Sequence, residues 1–304
     1  MNSDDHNPKP VEPALGSEVQ PGNIAGSDES PENLFSGSIA GAEQIRSVNH
    51  LVPEDLRVPW GWWDLASFLV LSIAALVLLW TLTVTAFYSA GITKEKFLQS
   101  VSYQGQSAIV VMLFLSVLLL AYLAAQMRLR FRAPVWRTLR WKPLDSGKVP
   151  AKAAYLGLVF SGIALSMLVA LASSAFTPKS KMPIQQFLQD RHTALLLLIM
   201  SVTIAPLFEE TVFRGYIYPV VARTFGILPG ILVTGLIFGL LHASQLGGNL
   251  PQVALLVGVG IVFTAVRAKT GNVLPGYILH VSYNSFIVIA FLIASHGLRQ
   301  MPPA

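Results

Sequence analysis

The stretch LLLLIMSVTIAPLFEETVFRG, Leu195–Gly215, places two adjacent glutamates, Glu209 and Glu210, and an arginine, Arg214, at the end of a long apolar run. Such a run predicts a membrane helix, since backbone groups that meet lipid must find their partners within their own helix. An ionisable side chain at mid-bilayer costs at least about 2.5 kcal/mol on insertion scales, so such residues usually face a bundle interior and serve function. The stretch therefore predicts a membrane fold with a polar site inside it.

The composition extends this prediction to the whole chain of 304 residues. It is 53% hydrophobic and 12% charged, with a mean hydropathy of +0.57, whereas a soluble domain is about 25% charged. There is no cysteine, which excludes disulfides, thiolate nucleophiles and Cys-ligated metal sites. Any divalent ion would have to be bound by His, Glu, Asp or Asn.

Several apolar runs are long enough to cross a hydrocarbon core, which takes about 20 residues. They are continuous rather than alternating, which favours helices over strands. We predict an all-α, polytopic transmembrane helix bundle of about seven spans, with six to eight open. The predicted spans are Asp64–Phe87, Ser107–Met127, Ala153–Phe176, Thr193–Phe208 with a continuation past the glutamates, Leu228–Leu246, Pro251–Val266 and Val273–Ala294.

The chain before the first span has a different character. Residues 1–50 are rich in Pro, Gly, Ser and acids, a composition that predicts a disordered acidic tail. Residues 51–192 then comprise an interfacial segment and the first three spans. Three tryptophans in the interfacial segment, Trp60, Trp62 and Trp63, are expected at a membrane surface.

Charge predicts the orientation in the membrane. The segment Arg128–Lys152 carries eight Lys or Arg and one acid, Asp145, and the positive-inside rule makes it cytoplasmic. Alternation of the spans then places the N-terminus in the cytoplasm. We interpret the basic run as a topology signal and a contact with lipid headgroups, not as a nucleic-acid site. The short loops and the charge bias suggest a bacterial cytoplasmic membrane.

Few strongly polar side chains lie in the last four spans. Glu209 and Glu210 are the only acids after residue 192, and His242 and His280 are the only histidines inside apolar runs. Residues four apart share a helix face. This spacing predicts that Glu210 pairs with Arg214, leaving Glu209 free for other work, and it also joins Phe238 to His242 and His280 to Asn284.

Each of these motifs has a structural alternative when taken alone. A glutamate pair can end a helix in solvent, and a histidine can bond a backbone carbonyl. Asn284 can hold two helices together. Their combination in a segment with no other acids favours a functional site.

The ordered motifs EETVFRG, FGLLH and HVSYN resemble those of the CPBP family, which includes type II CAAX prenyl endopeptidases and abortive-infection-like membrane proteins. The resemblance covers roughly Leu195–Ala294 and defines a CPBP-like catalytic transmembrane domain at residues 193–296. It implies an α-helical intramembrane endopeptidase whose partners are membrane lipid and a protein or peptide substrate that is lipidated or membrane-associated. The acidic tail is not part of the resemblance.

The resemblance also implies roles for individual residues. Glu209 would activate water, while Glu210 and Arg214 would hold their helix in place. His242 and His280, with Asn284 beside His280, would bind a metal or stabilise the oxyanion. Two histidines and a glutamate suit zinc with an open position for water, so we expect a divalent metal, zinc first, on His242 and His280. A metal-free route, in which Glu209 and His242 hold one water, also stays open.

Two other functions are compatible with the sequence. One is a non-catalytic membrane scaffold or bacteriocin-immunity-like protein on the same fold. The other is a transporter with a proton-coupled carboxylate pair, although a transporter favours polar groups spread along a pathway and an internal repeat, and the chain shows neither. The protease is the interpretation that we carry forward.

Overall fold

The fold was examined in a computed structural model, which describes residues 52–145, 147, 149–176 and 182–301. Within these ranges the chain is helical and contains no strand, which confirms the all-α prediction. The tail predicted for residues 1–50 lies outside the described residues.

Twelve α-helices follow one another in the described ranges, preceded by a 3₁₀ turn at Glu54–Leu56. Two π-helical segments, Gln126–Arg130 and Glu210–Ile217, continue α3 and α8. The α-helices are α1 (Trp62–Ser89), α2 (Lys94–Gln99), α3 (Val101–Ala125), α4 (Val135–Thr138), α5 (Ala151–Ser174), α6 (Pro183–Phe187), α7 (Arg191–Val202), α8 (Ile204–Glu209), α9 (Tyr218–Phe225), α10 (Ile227–Leu241), α11 (Leu250–Thr270) and α12 (Leu274–Ala294).

Six helical stretches in the described residues are long and apolar enough to cross a membrane. They are α1, α3 with its π segment, α5, the stretch Arg191–Phe225, α11 and α12. A seventh apolar helix, α10, has 15 residues, a length of about 22 Å that falls short of a hydrocarbon core. Six spans and one short helix agree with the predicted range of six to eight.

One predicted span was too long at its end. The expected run Leu228–Leu246 stops as a helix at Leu241, and turns follow from His242 to Gly248. Gly247 and Gly248 have φ values of 61° and 67°, a backbone region that glycine enters without steric cost. These turns reverse the chain into α11 and leave His242 at the end of a helix rather than within one.

The interface role predicted for Trp60 was wrong. Its side chain is 1% exposed, and its indole stacks on Tyr216 and donates from Nε1 to the Tyr216 carbonyl at 2.9 Å. Trp62 and Trp63 are exposed. A tryptophan near the start of a span can thus be a core residue when its N–H finds a backbone acceptor.

Small residues bring α10 and α11 into close contact. A Cβ added to Gly235 would lie 2.7 Å from the Ile261 nitrogen, and one added to Gly239 would lie 2.7 Å from the Val257 nitrogen. Larger residues at these positions would separate the helices, as expected for small residues spaced four apart in a membrane helix pair. The contact fixes the rotation of α10, which carries Phe238 and His242.

The transmembrane stretch Arg191–Phe225, which carries the two glutamates, begins with an N-cap at Asp190. The Thr193 backbone N–H and hydroxyl donate to the Asp190 carboxylate at 2.8 and 2.7 Å, and these bonds lower the pKa of Asp190. An ionised N-cap stabilises the first turn of α7. The α7 helix ends at Val202, and after Thr203 the chain continues as α8 to Glu209.

Candidate active site

The two adjacent glutamates lie where α8 passes into the π-helical segment Glu210–Ile217. Single π turns inside helices occur frequently at functional sites. The two side chains have different surroundings, because Glu210 is completely buried while Glu209 keeps 15% of its side chain exposed. Adjacent carboxylates therefore have different partners.

Glu210 is bound by the arginine one turn ahead of it. Arg214 Nη1 donates to Glu210 Oε1 at 2.9 Å, and neither side chain is exposed. The spacing of four residues predicted this pair, and the structure confirms it. A buried ion pair needs further hydrogen bonds to offset the desolvation of both charges.

Helix α11 supplies those further bonds to the guanidinium. Arg214 Nη2 donates to the Gly260 carbonyl at 2.9 Å and Nε donates to Thr264 Oγ1 at 3.2 Å. All three kinds of guanidinium nitrogen are therefore used. Lysine could not reproduce this fork, which requires a planar group with several donors.

Three aromatic rings enclose the same guanidinium. The Arg214 Cζ lies 4.6 Å from the centroid of Phe238, 5.4 Å from Phe263 and 5.7 Å from Phe213. Desolvated cation–π contacts are among the stronger ones. Phe238, which the sequence analysis placed on one face with His242, thus covers the buried ion pair.

His280 joins Glu210 to Glu209. Its Nδ1 lies 3.0 Å from Glu210 Oε1, and its Nε2 lies 3.8 Å from Glu209 Oε2. The Phe263 ring packs against the imidazole with centroids 4.7 Å apart. Because an ionised Glu210 only accepts hydrogen bonds, His280 donates from Nδ1, which directs Nε2 towards Glu209.

His242 approaches Glu209 from the end of α10. Its Nδ1 lies 2.7 Å from the Phe238 carbonyl, and its Nε2 lies 3.7 Å from Glu209 Oε1. A carbonyl can only accept, so Nδ1 carries a proton and donates it. The two oxygens of Glu209 therefore each face the Nε2 atom of a different imidazole.

Asn284 occupies a different environment from the one its spacing suggests. Its Nδ2 donates to the Ser201 carbonyl at 2.7 Å, at the end of α7 just before the interruption at Thr203. This bond ties α12 to α7 and is the kind of interhelical contact that polar side chains make in membranes. No hydrogen bond joins Asn284 to His280 among the described residues, and a catalytic role for Asn284 stays a prediction.

The structure thus brings six of the seven predicted residues together: Glu209, Glu210, Arg214, Phe238, His242 and His280. Three further residues belong to the site and were not predicted from the sequence: Phe263 and Thr264 on α11, and Gly276 on α12. A Cβ on Gly276 would lie 2.9 Å from Glu210 Oε2, a buried atom without a hydrogen-bond partner in the described part of the chain. The signal in the sequence for this part of the site was the four-residue spacing of Gly260 and Thr264, which places both on one face of α11.

A buried network holds the π-helical segment from its other side. The Tyr216 hydroxyl donates to Gln126 Oε1 at 2.8 Å, and Gln126 Nε2 donates to Asp64 Oδ1 at 3.1 Å. Asp64 belongs to α1 and is 5% exposed. The first two spans therefore fix the segment that carries Glu210 and Arg214.

The metal expected from the sequence has candidate donors in the site. Two imidazole nitrogens and a carboxylate have suitable donor chemistry, and Glu209 lies 3.7 and 3.8 Å from the two imidazoles, slightly more than the roughly 3.4 Å between ligand atoms of a tetrahedral zinc ion. In the described ranges, no group of three or more His, Asp or Glu side chains is arranged to hold an ion. The metal on His242 and His280 therefore stays a prediction.

The part of the chain that contains the candidate site resembles a known protein family. A model of the family described as "Type II CAAX prenyl endopeptidase Rce1-like" matches residues 191–286. Over this segment, about a third of the chain, the protein is similar to the Rce1-like family. The match begins with α7 and includes every residue of the candidate site, and it confirms the resemblance to the CPBP family.

One curated relative supports the same assignment. The chain is 28% identical over 94 residues to the protein named "Putative membrane peptidase YdiL" of Bacillus subtilis, which is 31% of this chain and 36% of the relative. The chain thus matches about a third of the relative's length. No solved structure matches. The Rce1-like segment and the six apolar helices establish an integral membrane protein.

Proposed function

We propose that this protein is a membrane-embedded endopeptidase in which Glu209 activates a water molecule for attack on a peptide bond. The observation that carries the proposal is the position of Glu209, whose two carboxylate oxygens each face the Nε2 atom of one imidazole, His242 at 3.7 Å and His280 at 3.8 Å. The match of residues 191–286 to the Rce1-like family model supports the reaction class.

The protonation of the imidazoles explains why water suits this place. His242 uses its Nδ1 proton for the Phe238 carbonyl, so in the neutral tautomer its Nε2 offers only a lone pair. This lone pair and the facing carboxylate oxygen of Glu209 need a proton donor between them. A water molecule can donate to Glu209 Oε1 and His242 Nε2 together, since these atoms are close enough for one water to reach both.

Charge neutrality assigns the second imidazole a different task. Glu209 and Glu210 carry two negative charges and Arg214 carries one positive charge, so one added proton balances the site. His280 is the better place for it, because its Nδ1 and Nε2 face the two carboxylates. As an imidazolium, His280 donates from Nε2 to the oxygen on which negative charge develops.

The reaction then follows with atoms and protons balanced. Glu209 takes a proton from the water, and the water oxygen bonds to the peptide carbonyl carbon. The carbonyl oxygen becomes an oxyanion that accepts a hydrogen bond from His280. When the carbon–nitrogen bond breaks, protonated Glu209 returns its proton to the leaving amine, and a new carboxyl group and a new amino group remain.

Glu210 and Arg214 act as positioning residues. Arg214 neutralises Glu210, and Glu210 in turn orients His280 through its Nδ1. A base whose partner is oriented by a third group is the recurring arrangement of activated hydrolases. No step is assigned to a metal ion.

The location of the site indicates the substrate class. Glu209 lies 18 residues after Arg191 in the apolar stretch Arg191–Phe225, about 27 Å along a helix, which is close to the far surface of a hydrocarbon core of about 30 Å. A peptide bond next to a membrane anchor would lie at this level. A lipidated or membrane-associated protein or peptide arrives already partitioned into the bilayer, which makes it the substrate class we propose.

The proposal is tested with purified full-length protein in lipid nanodiscs. Lipidated peptides and their unmodified counterparts are incubated with it, and products are identified by mass spectrometry. We expect one peptide bond of a lipidated peptide to be cleaved, and Glu209→Ala to abolish cleavage. Unchanged cleavage in Glu209→Ala would refute the mechanism, and full function of Glu209→Gln and His242→Ala strains in cells would favour a non-catalytic scaffold.

A further inference from the structure

A basic groove lies on the loop that follows the second span. Its volume is about 730 Å³. It is lined by three cations, two tryptophans and neighbouring loop residues, and no acid belongs to the lining: Arg128, Ala133, Pro134, Val135, Trp136, Arg137, Trp141, Lys142 and Pro143. We call it the basic groove.

Among the described residues, no carboxylate forms an ion pair with the cations of the basic groove, Arg128, Arg137 and Lys142. Glu54, whose pKa is lowered first by its hydrogen bond from Arg140 and to a smaller extent by the charge of Lys142, is outside the groove lining. In the described part of the chain the groove is therefore a positive site without an ion pair of its own, which suits an anion.

The groove lies at the end of an apolar span. Arg128 belongs to the π-helical segment that ends the stretch Val101–Arg130, and the Trp136 side chain is 53% exposed. Tryptophans and basic residues together at the end of a span mark the level of lipid headgroups. An anion held here would therefore be at the membrane surface.

An apolar crevice of about 310 Å³ continues from the basic groove. The two share Val135 and Trp136. The crevice runs along residues of α3, among them Val117 and Leu120, and reaches Thr211. A positive groove joined to an apolar crevice matches a molecule with an anionic head and a hydrocarbon chain.

The walls of the basic groove are hydrogen-bonded to two segments that adjoin the candidate active site. Trp141 Nε1 donates to Thr211 Oγ1 at 3.1 Å, and Thr211 follows Glu210 in the π-helical segment. Asn272 Nδ2 donates to the Lys142 carbonyl at 3.1 Å, and the next helix, α12, carries His280. A ligand that orders this loop would stabilise the arrangement of Glu210 and His280.

We propose that the basic groove binds the phosphate headgroup of an anionic phospholipid, with an acyl chain in the apolar crevice, and that this lipid supports activity. The chemistry favours it, since phosphate oxygens accept hydrogen bonds from arginine and lysine. A free phosphate would use the groove but not the crevice. The binding claim is independent of the proposed function, and the claim about activity rests on it.

Binding is measured by fluorescence in vesicles of phosphatidylcholine that contain phosphatidylglycerol with brominated acyl chains. Bromine quenches nearby tryptophans, and we expect greater quenching than with brominated phosphatidylcholine, with Trp136→Phe losing part of the excess. The double variant Arg137→Gln/Lys142→Gln should need roughly 25-fold more phosphatidylglycerol, about fivefold for each cation. Arg132→Gln is the matched control, because Arg132 is exposed on the same loop and does not line the groove.

Equal phosphatidylglycerol dependence in the double variant and in Arg132→Gln would overturn the site, because it would show a general effect of surface charge. Competition by inorganic phosphate at similar concentrations would assign the groove to free phosphate instead of lipid. In the activity measurement, phosphatidylglycerol should raise peptide hydrolysis by the wild type. The double variant should need roughly 25-fold more phosphatidylglycerol for the same increase. Unchanged hydrolysis despite binding would refute the link to activity alone, and absence of hydrolysis in every lipid would count against the proposed function alone.

Discussion

The Arg214 guanidinium lies 2.9 Å from the Glu210 carboxylate, and both side chains are completely buried. Two charges removed from water in this way destabilise a fold unless each keeps its partner. The neighbouring carboxylate, Glu209, has no cation of this kind and faces two imidazoles. The pair of glutamates therefore divides into one that holds the site together and one that is free to exchange a proton.

The first prediction concerns the buried cation. Arg214→Ala leaves Glu210 charged and unpaired, so the free energy of unfolding should fall by about 3–5 kcal/mol, measured by thermal or denaturant unfolding in detergent. Arg214→Lys keeps the charge but loses the bonds to Thr264 and Gly260, so its free energy of unfolding should lie between those of the wild type and Arg214→Ala. Equal stability of the lysine variant and the wild type would show that the fork of hydrogen bonds contributes little.

The second prediction concerns the glycine beside the ion pair. In Gly276→Ala the new Cβ would lie 2.9 Å from Glu210 Oε2, so Glu210 or α12 must shift. Overpacking of this kind lowers the free energy of unfolding by about 1–3 kcal/mol. Hydrolysis should also fall, because a shift of Glu210 displaces His280, which is hydrogen-bonded to it. Gly258→Ala is the control, since a Cβ there meets open space. Similar losses in both variants would refute the steric explanation.

The third prediction separates the two histidines. His280 is 4% exposed and is packed against Phe263, so His280→Ala should lower both stability and hydrolysis. His242 keeps 20% of its side chain exposed, so His242→Ala should lower hydrolysis about 10²–10⁴-fold with a much smaller change in unfolding temperature. If His242→Ala were as unstable as His280→Ala, its role would be structural.

The sequence predicted those contacts that are local along a helix. The four-residue spacing of Glu210 and Arg214 was enough to predict their ion pair, because helix geometry alone brings them together. The scarcity of acids after residue 192 likewise indicated Glu209, and the scarcity of histidines inside apolar runs indicated His242 and His280. Apolar length predicted the membrane spans.

Contacts between distant segments were not accessible in this way. Thr264 lies 50 residues from Arg214, and nothing in either stretch specifies that α11 faces the guanidinium. The same limit explains the error at Trp60, which becomes a core residue only because Tyr216, 156 residues away, provides an acceptor. The turn that follows the early end of α10 uses two glycines with positive φ, which hydropathy does not reveal.

The fourth prediction addresses the metal. Because the described residues do not form a metal cluster and the proposed reaction uses only protein groups and water, hydrolysis should persist after exhaustive treatment with a chelator. Metal analysis of gently purified protein accompanies the assay. Zinc near one ion per chain, lost in His280→Ala and required for activity, would restore the ion expected from the sequence.

The central claim, that Glu209 performs chemistry while Glu210 holds the structure, is tested most directly by comparing Glu209→Gln with Glu210→Gln in one experiment that measures kcat and unfolding temperature. We predict that Glu209→Gln lowers kcat by about 10²–10⁴-fold at nearly unchanged unfolding temperature, and that Glu210→Gln unfolds at a clearly lower temperature, because it leaves Arg214 without its counter-charge. The account would be contradicted if Glu209→Gln kept the wild-type kcat, or if Glu209→Gln unfolded at a lower temperature than Glu210→Gln.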